Sequence, residues 1–137
     1  MLQCDFAYMI GPKAFDEFVK PELSASCRRL ANAFYHLDGP GQLAHLDSLL
    51  SIPELKGVQW IPGRGSPDSR HWPEVFRKIR NAGKLIQIYC GETDVLDVVV
   101  DQLGSGRGIY YYAHPGEGLR GYDERDARKL LERYGAE

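Results

Sequence analysis

The hydrophobic positions of the chain alternate between short apolar runs and stretches with helical spacing. Residues 84–90 (KLIQIYC) form an apolar run that ends at Gly91. On either side of this run, residues 72–81 and 94–103 carry apolar side chains three and four positions apart, which is typical of amphipathic helices. The pattern therefore predicts strands and helices in regular succession.

This strand–helix unit is predicted five times. The predicted strands cover residues 2–10, 33–38, 57–61, 84–90 and 109–113, and the predicted helices cover residues 13–30, 42–51, 72–81, 94–103 and 123–134. Pro21 predicts a kink, or two short helices, within the first helical stretch. The strand-ending glycines are 28, 24, 28 and 25 residues apart, at Gly11, Gly39, Gly63, Gly91 and Gly116. A period of this length fits the βα units of a parallel α/β fold.

Two architectures accept five βα units. One is a five-stranded, doubly wound parallel sheet. The other is part of a TIM-type (β/α)8 barrel, because a complete barrel needs about 250 residues and this chain has 137. We expect a single domain over residues 1–137. Both architectures place binding and catalysis at the carboxyl ends of the strands, so we expect the pocket there and not at the opposite edge.

The composition of the chain indicates which classes of partner and which compartment to expect. Seventeen basic and nineteen acidic residues give a formal net charge of −2, which favours neither nucleic acid nor an anionic membrane as a partner. No apolar run approaches the ~20 residues of a transmembrane helix, and no basic region typical of a signal peptide begins the chain. Three widely spaced cysteines, Cys4, Cys27 and Cys90, are typical of a reducing compartment. We therefore expect a cytoplasmic protein.

The first candidate for chemistry is the stretch AFYHLDGPG, residues 33–41. Because side chains alternate along a strand, His36 and Asp38 should share one face. A polar pair at the end of an otherwise apolar strand is costly unless it is hydrogen-bonded, ligated or hydrated. In the structural alternative, Asp38 caps the next helix and hydrogen-bonds His36.

Further polar and aromatic residues collect at the predicted carboxyl ends of the strands. Asp5 could line the site, Arg64 could bind a carboxylate or phosphate, and Cys90 could supply a thiolate. Trp60 and the tyrosines at 110–112, Tyr112 among them, could stack on a flat ligand. The alternative for Asp5 is that it pairs with a neighbouring chain, and each of the others has a packing or surface role as its alternative. We interpret the two remaining histidines as structural residues on the surface, at His45 and His71.

Three segments carry a family resemblance. The stretches IGPKAFDEFVKPEL, FYHLDGPG and YYAHPGEG resemble the C-terminal part of the uroporphyrinogen decarboxylase superfamily. This superfamily includes zinc-dependent methyltransferases that act between corrinoid proteins and thiols. The resemblance runs along nearly the whole chain and covers about the second half of the family's barrel. It implies a half barrel with its site at the carboxyl mouth.

The resemblance also implies a set of ligands. The His-x-Cys-Gly signature of the methyltransferases falls on residues 36–39, where Asp38 replaces the cysteine, and their last zinc ligand falls on or beside His114. His36, Asp38 and His114 are therefore the candidate catalytic residues and the candidate ligands of zinc or another divalent metal. His114 also matches a substrate-contacting histidine of the decarboxylases. The groups that grip the porphyrinogen belong to the first half of the barrel and have no counterpart here.

Two functions are compatible with these features. In the first, a metal at the three candidate ligands activates a small thiol or carboxylate-bearing ligand, in a methyltransferase-like or decarboxylase-like (lyase) reaction, and a corrinoid protein is a partner. In the second, the chain is a non-catalytic half-barrel fragment or a binding module that needs a partner chain to supply the missing half.

We expect a homodimer; the alternative is a doubly wound sheet whose helices are distributed over both faces. Unpaired strand edges invite pairing with another chain. A half barrel also exposes the sheet face that a complete barrel encloses. Apolar side chains that we expect on that face are Val58, Ile61, Ile88 and Tyr111.

Overall fold

The fold is known from a computed structural model, which describes residues 1–89, 93–112 and 124–135. This part of the chain contains four parallel strands, β1 (Ala33–Asp38), β2 (Leu55–Ile61), β3 (Leu85–Tyr89) and β4 (Ile109–Tyr112). Each strand pairs with the next one in the sequence, so the sheet order β1-β2-β3-β4 has no reversal. The expected α/β class with a parallel sheet is confirmed.

Helices follow the strands as the apolar spacing predicts. They are α1 (Pro12–Ala14), α2 (Lys20–Arg28), α3 (Leu46–Leu50), α4 (Pro73–Asn81), α5 (Thr93–Leu103) and α6 (Glu124–Arg133), with 3-10 turns at Asp5–Met9, Pro40–His45 and Ser69–His71. The interruption expected at Pro21 is a π-helical turn, Phe15–Val19, in which the Lys20 N–H bonds to the carbonyl oxygen of Phe15. Among the residues described, no helix is long and apolar enough to cross a membrane.

The predicted first strand is wrong over most of its length. Only Leu2 pairs with the sheet: its N–H donates to the carbonyl oxygen of Phe34 at 2.7 Å, and its own carbonyl accepts from the His36 N–H at 2.8 Å. The chain then turns into the 3-10 helix Asp5–Met9. The described part of the sheet therefore has four strands and one bridged residue, where we expected five strands.

Burial explains why an apolar run becomes a 3-10 turn. Within residues 4–10, the more buried positions are Cys4, Ala7 and Ile10, three residues apart, while the residues between them are exposed. A spacing of three is the period of a 3-10 helix, whereas a strand with one buried face would bury every second residue.

One face of the sheet packs against the helices. Side chains of β1, β2 and β3 that are at most 1% exposed belong to a single core with side chains of α2 to α5, and they occupy alternate positions: Tyr35, Leu37, Val58, Trp60, Ile86 and Ile88. Val58 and Ile88, which we expected on the uncovered face, therefore lie on the helix-packed face. Tyr111 pairs with Ile88 in the register and packs against the same core, so this placement was wrong as well.

The alternate residues form the open face of the sheet, which includes Phe34, His36, Asp38, Gly57, Gln59, Ile61, Leu85, Gln87 and Tyr110. Ile61 pairs with Asp38, so it lies on this face as we expected. Its exposure increases toward the β4 edge, from 8% at Gln59 to 44% at Leu85 and 55% at Tyr110. A Cβ on Gly57 would overlap the ring of Phe34, so this ring lies flat over the glycine. The middle of the open face is polar, not apolar as we expected.

Arg80 of α4 joins α5 to the entry of β4. Its guanidinium donates to three carbonyl oxygens, those of Leu103 at 3.2 Å, Ser105 at 2.9 Å and Arg107 at 3.0 Å. Burial lowers the pKa of this guanidinium from its ordinary value. The bonds satisfy backbone acceptors that the end of α5 and the following loop leave without a partner.

We expect Gly57→Ala to destabilise the fold by about 1–3 kcal/mol, because its Cβ would overlap the Phe34 ring and lie 2.8 Å from the Leu85 carbonyl oxygen. Urea unfolding measures this loss. Gly11→Ser is the matched control, since nothing lies within 4 Å of a Cβ there and serine is favoured at a helix N-cap. Equal midpoints for Gly57→Ala and the wild type would contradict the close packing of Phe34.

Candidate functional site

A row of hydrogen-bonding side chains crosses the open face at one level. The register pairs His36 with Gln59, Gln59 with Gln87, and Gln87 with Tyr110. Paired residues on neighbouring parallel strands point to the same face. We call these four residues the transverse row. The amide of Gln87 makes no hydrogen bond within the residues described, so it is free to bind a ligand.

His36 is oriented by its neighbour in this row. Its Nδ1 makes a short hydrogen bond with the amide oxygen Oε1 of Gln59. An amide oxygen only accepts, so Nδ1 must carry the proton and donate it. The other ring nitrogen, Nε2, then bears a lone pair and lies 3.9 Å from Oδ2 of Asp38. The expectation that His36 and Asp38 share a face is confirmed.

The pair has the properties of a reactive site. The side chains of His36 and Asp38 are 22% and 47% exposed, so both are open to solvent or ligand. Among the residues described, no lysine or arginine forms an ion pair with Asp38. An imidazole nitrogen that bears a lone pair and is open to solvent can accept a proton from a bound ligand.

Two of the three predicted metal ligands are therefore neighbours. A histidine that binds a metal through one nitrogen usually donates its other N–H to an acceptor, as His36 does to Gln59. The described part of the chain contains no group of three His, Cys, Asp or Glu residues arranged around a common point. His114 lies outside the described residues, so its place as the third ligand stays a prediction.

Buried polar side chains hold the 3-10 turn Asp5–Met9 in place. His45 bonds through Nε2 to the carbonyl oxygen of Ala7 at 2.8 Å, and Gln42 donates to the carbonyl of Cys4 at 3.4 Å. The hydroxyl of Tyr35 donates to the amide oxygen of Gln42 at 3.2 Å. His45 is only 1% exposed, so its predicted surface position was wrong.

The other predicted site residues are dispersed. Asp5 is exposed at the start of the 3-10 turn, where Gln3 donates to its carboxylate at 2.5 Å. Arg64 is exposed in the loop after β2. Trp60 is fully buried on the helix-packed face, edge-to-face with Trp72 at 5.1 Å, so the prediction that it stacks on a ligand at the open face is corrected.

Three predicted residues lie partly or wholly beyond what the structure describes. Tyr112 is the last residue of β4, where it pairs with Tyr89 in the register. This places its backbone at the carboxyl edge of the sheet, and its side chain is outside the described part. Cys90 and His114 lie outside the described residues altogether.

A second His–Asp pair gives a useful contrast. Nδ1 of His71 lies 3.1 Å from Oδ1 of Asp68, and the guanidinium of Arg70 lies 2.6 Å from the other carboxylate oxygen. Hydrogen bonds from Arg70 lower the pKa of Asp68 to about 2. Asp68 also caps the 3-10 turn Ser69–His71. The carboxylate of Asp68 is therefore occupied by partners within its own loop. Among the residues described, the carboxylate of Asp38 has no lysine or arginine partner.

An open depression of about 450 Å³ lies elsewhere, where the carboxyl ends of α5 and α6 meet. We expected no pocket of comparable polarity at the end of the sheet opposite the carboxyl ends of the strands. Polar groups around it are already paired: the hydroxyl of Tyr134 donates to Asp97 at 2.7 Å, and that of Ser105 donates to the Gly135 carbonyl at 3.3 Å. The transverse row remains the stronger candidate, because its Gln87 amide makes no hydrogen bond within the part of the chain that the structure describes.

We missed Gln59, Gln87 and Tyr8, which all border the candidate site. The sequence held a signal for the two glutamines, since each is the single polar residue at the centre of an apolar strand, in VQW and in LIQIY. Tyr8 gave no such signal, because it lies in an apolar run that we interpreted as a strand.

We expect NMR of the histidine nitrogens to show that His36 carries its proton on Nδ1, because Gln59 offers only an acceptor. Gln59→Leu should abolish this preference, and Gln59→Glu should retain it, since a carboxylate also accepts. His45 is the internal control: it bonds to a carbonyl through Nε2 and should show the opposite tautomer. A wild-type His36 protonated on Nε2 would contradict the assignment.

No family model, no curated protein and no solved structure matches this chain.

Proposed function

We propose that the chain binds a small ligand at the carboxyl edge of its sheet and acts on it through His36 and Asp38, as a protein of the uroporphyrinogen decarboxylase type. One observation supports the proposal above all others. Gln59 orients the imidazole of His36 so that its other nitrogen, Nε2, faces the carboxylate of Asp38, 3.9 Å away. Such preorganisation lowers the cost of binding a metal or accepting a proton.

The transverse row gives this site its binding surface. Gln87 offers an amide donor and an amide acceptor, and Tyr110, which is 55% exposed, offers an aromatic ring and a hydroxyl. A polar ligand that lies across the row can reach the His36 nitrogen at one end. The sequential strand order and the one-sided helix layer support the half-barrel form of the α/β fold, since neighbouring strands of a barrel are consecutive in the sequence.

A divalent metal fits the donors that are present. The free nitrogen of His36 and the carboxylate of Asp38 would hold it, with His114 as the third ligand that the resemblance implies. An imidazole–carboxylate set suits zinc with open coordination positions. Bound there, zinc would lower the pKa of a thiol substrate, as in methyl transfer. Without a metal, His36 would act as the base through its Nε2.

We expect protein purified without added metal to contain close to one equivalent of a divalent ion by mass spectrometry of the elements. The double variant His36→Ala and Asp38→Ala should lose at least about 90% of it, because removing two of three ligands abolishes tight binding. His71→Ala is the matched control, since His71 belongs to the other His–Asp pair. Metal content that is equal in wild type and double variant would exclude metal binding at this pair.

The second candidate function is a non-catalytic module completed by a partner chain. The open face supports it, because parallel sheets are nearly always covered on both faces and the helices described here join the core on one face only. A second copy, or a chain that supplies the missing half barrel, would cover it. Because the middle of this face is polar, the interface would be wetter than the apolar one we expected from the sequence.

We expect light scattering at micromolar concentration to give twice the monomer mass of 15.5 kDa. Leu85→Lys should dissociate this dimer, because it places a charge on the open face, where Leu85 is 44% exposed. Phe18→Lys is the control at another exposed apolar residue, in the π-helical turn. A folded wild-type monomer, or dissociation by both variants alike, would exclude dimerisation through the open face.

A further inference from the structure

One face of the Tyr8 ring packs on Gly41, in the 3-10 turn that follows β1. A Cβ built on Gly41 would lie nearest to Cε2 of this ring, and 2.6 and 2.7 Å from the two neighbouring atoms, Cζ and Cδ2. Because these distances are so similar, the Cβ position lies above the plane of the ring. A Cβ that approached within the plane would be much farther from both Cζ and Cδ2. One face of the ring therefore covers Gly41, while Tyr8 remains 61% exposed. Its other face is open.

The position of this ring is fixed before any ligand arrives. The turn that carries it is held by His45, which bonds to the carbonyl oxygen of Ala7, the residue just before Tyr8. His45 itself stacks on Phe15, with ring centroids 4.4 Å apart and an angle of 11° between the planes. Both partners are at most 1% exposed. An exposed aromatic ring whose backbone is held in this way loses little conformational entropy on binding.

Two acidic residues neighbour the ring through the backbone. A Cβ on Gly39 would be 3.6 Å from Cε2 of Tyr8, and Asp38 is the residue immediately before this glycine. Asp5 begins the same 3-10 turn as Tyr8. Among the residues described, neither carboxylate forms an ion pair with a lysine or arginine.

We infer that Tyr8 and Asp38 form a binding site for an organic ammonium group. The face of an aromatic ring is negative and attracts a cation that lies on it, and an unpaired carboxylate beside the ring adds Coulomb attraction. An anionic ligand would be repelled by Asp38, and a neutral flat ligand would use the ring alone. The site requires Tyr8 and Asp38 but neither a metal nor Gln59. It shares Asp38 with the proposed reaction at His36, and Tyr8 distinguishes the two, because that reaction does not use the ring.

Tetramethylammonium chloride is a suitable probe, and tert-butanol is its neutral analogue of similar shape. Titration of the wild-type chain, followed by NMR, should give saturable binding of tetramethylammonium with shifts at residues 8, 38 and 39, and at least about fivefold weaker binding of tert-butanol. Equal affinity for the two probes, or no saturable binding of tetramethylammonium up to 50 mM (on the order of 2 kcal/mol of free energy), would overturn the inference.

Variants separate the ring from the charge. Tyr8→Leu and Asp38→Asn should each weaken binding of tetramethylammonium by about fivefold or more, and Tyr8→Phe should retain it within about twofold, because phenylalanine keeps the aromatic face. Gly41→Ala should weaken binding without altering either group, since its Cβ would displace the ring.

Phe6→Leu is the matched control. Phe6 lies in the same turn and is 60% exposed, close to the value for Tyr8. Circular dichroism of each variant establishes that it is folded, and Tyr8→Phe keeps the test valid where Tyr8→Leu does not fold. Binding that survives Tyr8→Leu in a folded protein, or that Phe6→Leu weakens as much as Tyr8→Leu does, would overturn the assignment of the ring.

Discussion

The structure depends on the one-sided burial of its parallel sheet. Three neighbouring strands each place two side chains, at most 1% exposed, into the same core as the helices. Burial of a large apolar side chain contributes about 1.5–3 kcal/mol, so this layer supplies much of the stability. Because side chains alternate along a strand, the same constraint forces the residues between them onto the opposite face. The polar row on the open face follows directly from the apolar packing beneath it.

The sequence predicted the elements well where their periodicity was strong. The helices α4 and α5 and the strands β2 and β3 lie within about two residues of their predicted bounds, because each has a clear apolar spacing. Alternation also placed His36 and Asp38 on one face. It could not tell which face meets the helices, and Val58 and Ile88 were assigned to the wrong one for that reason. That choice depends on where the helices pack, which a strand's own sequence does not contain.

The candidate site was only partly predictable for a related reason. His36 and Asp38 are two residues apart, so their proximity is a local property. The bond between His36 and Gln59 joins residues 23 positions apart, and it exists because the β1–β2 register places them at one level. The register shifts between Ala33 and Phe34, so that Ala33 pairs with Leu55 and Phe34 with Gly57. Nothing in the apolar pattern predicts this irregularity. Tyr8 was missed because its position depends on a turn that contacts Gly41, far along the chain.

Arg80 has a consequence for the edge of the sheet. Strand β4 is short and its outer edge has no partner strand among the described elements, and such a strand is prone to slide along its neighbour by one or two residues. The guanidinium of Arg80 holds carbonyl oxygens up to Arg107, two residues before β4 begins. If the register of β4 shifted by one or two residues, this loop would move away from the guanidinium of Arg80 on α4. One partly buried arginine thus helps to hold the register of the strand that carries Tyr110.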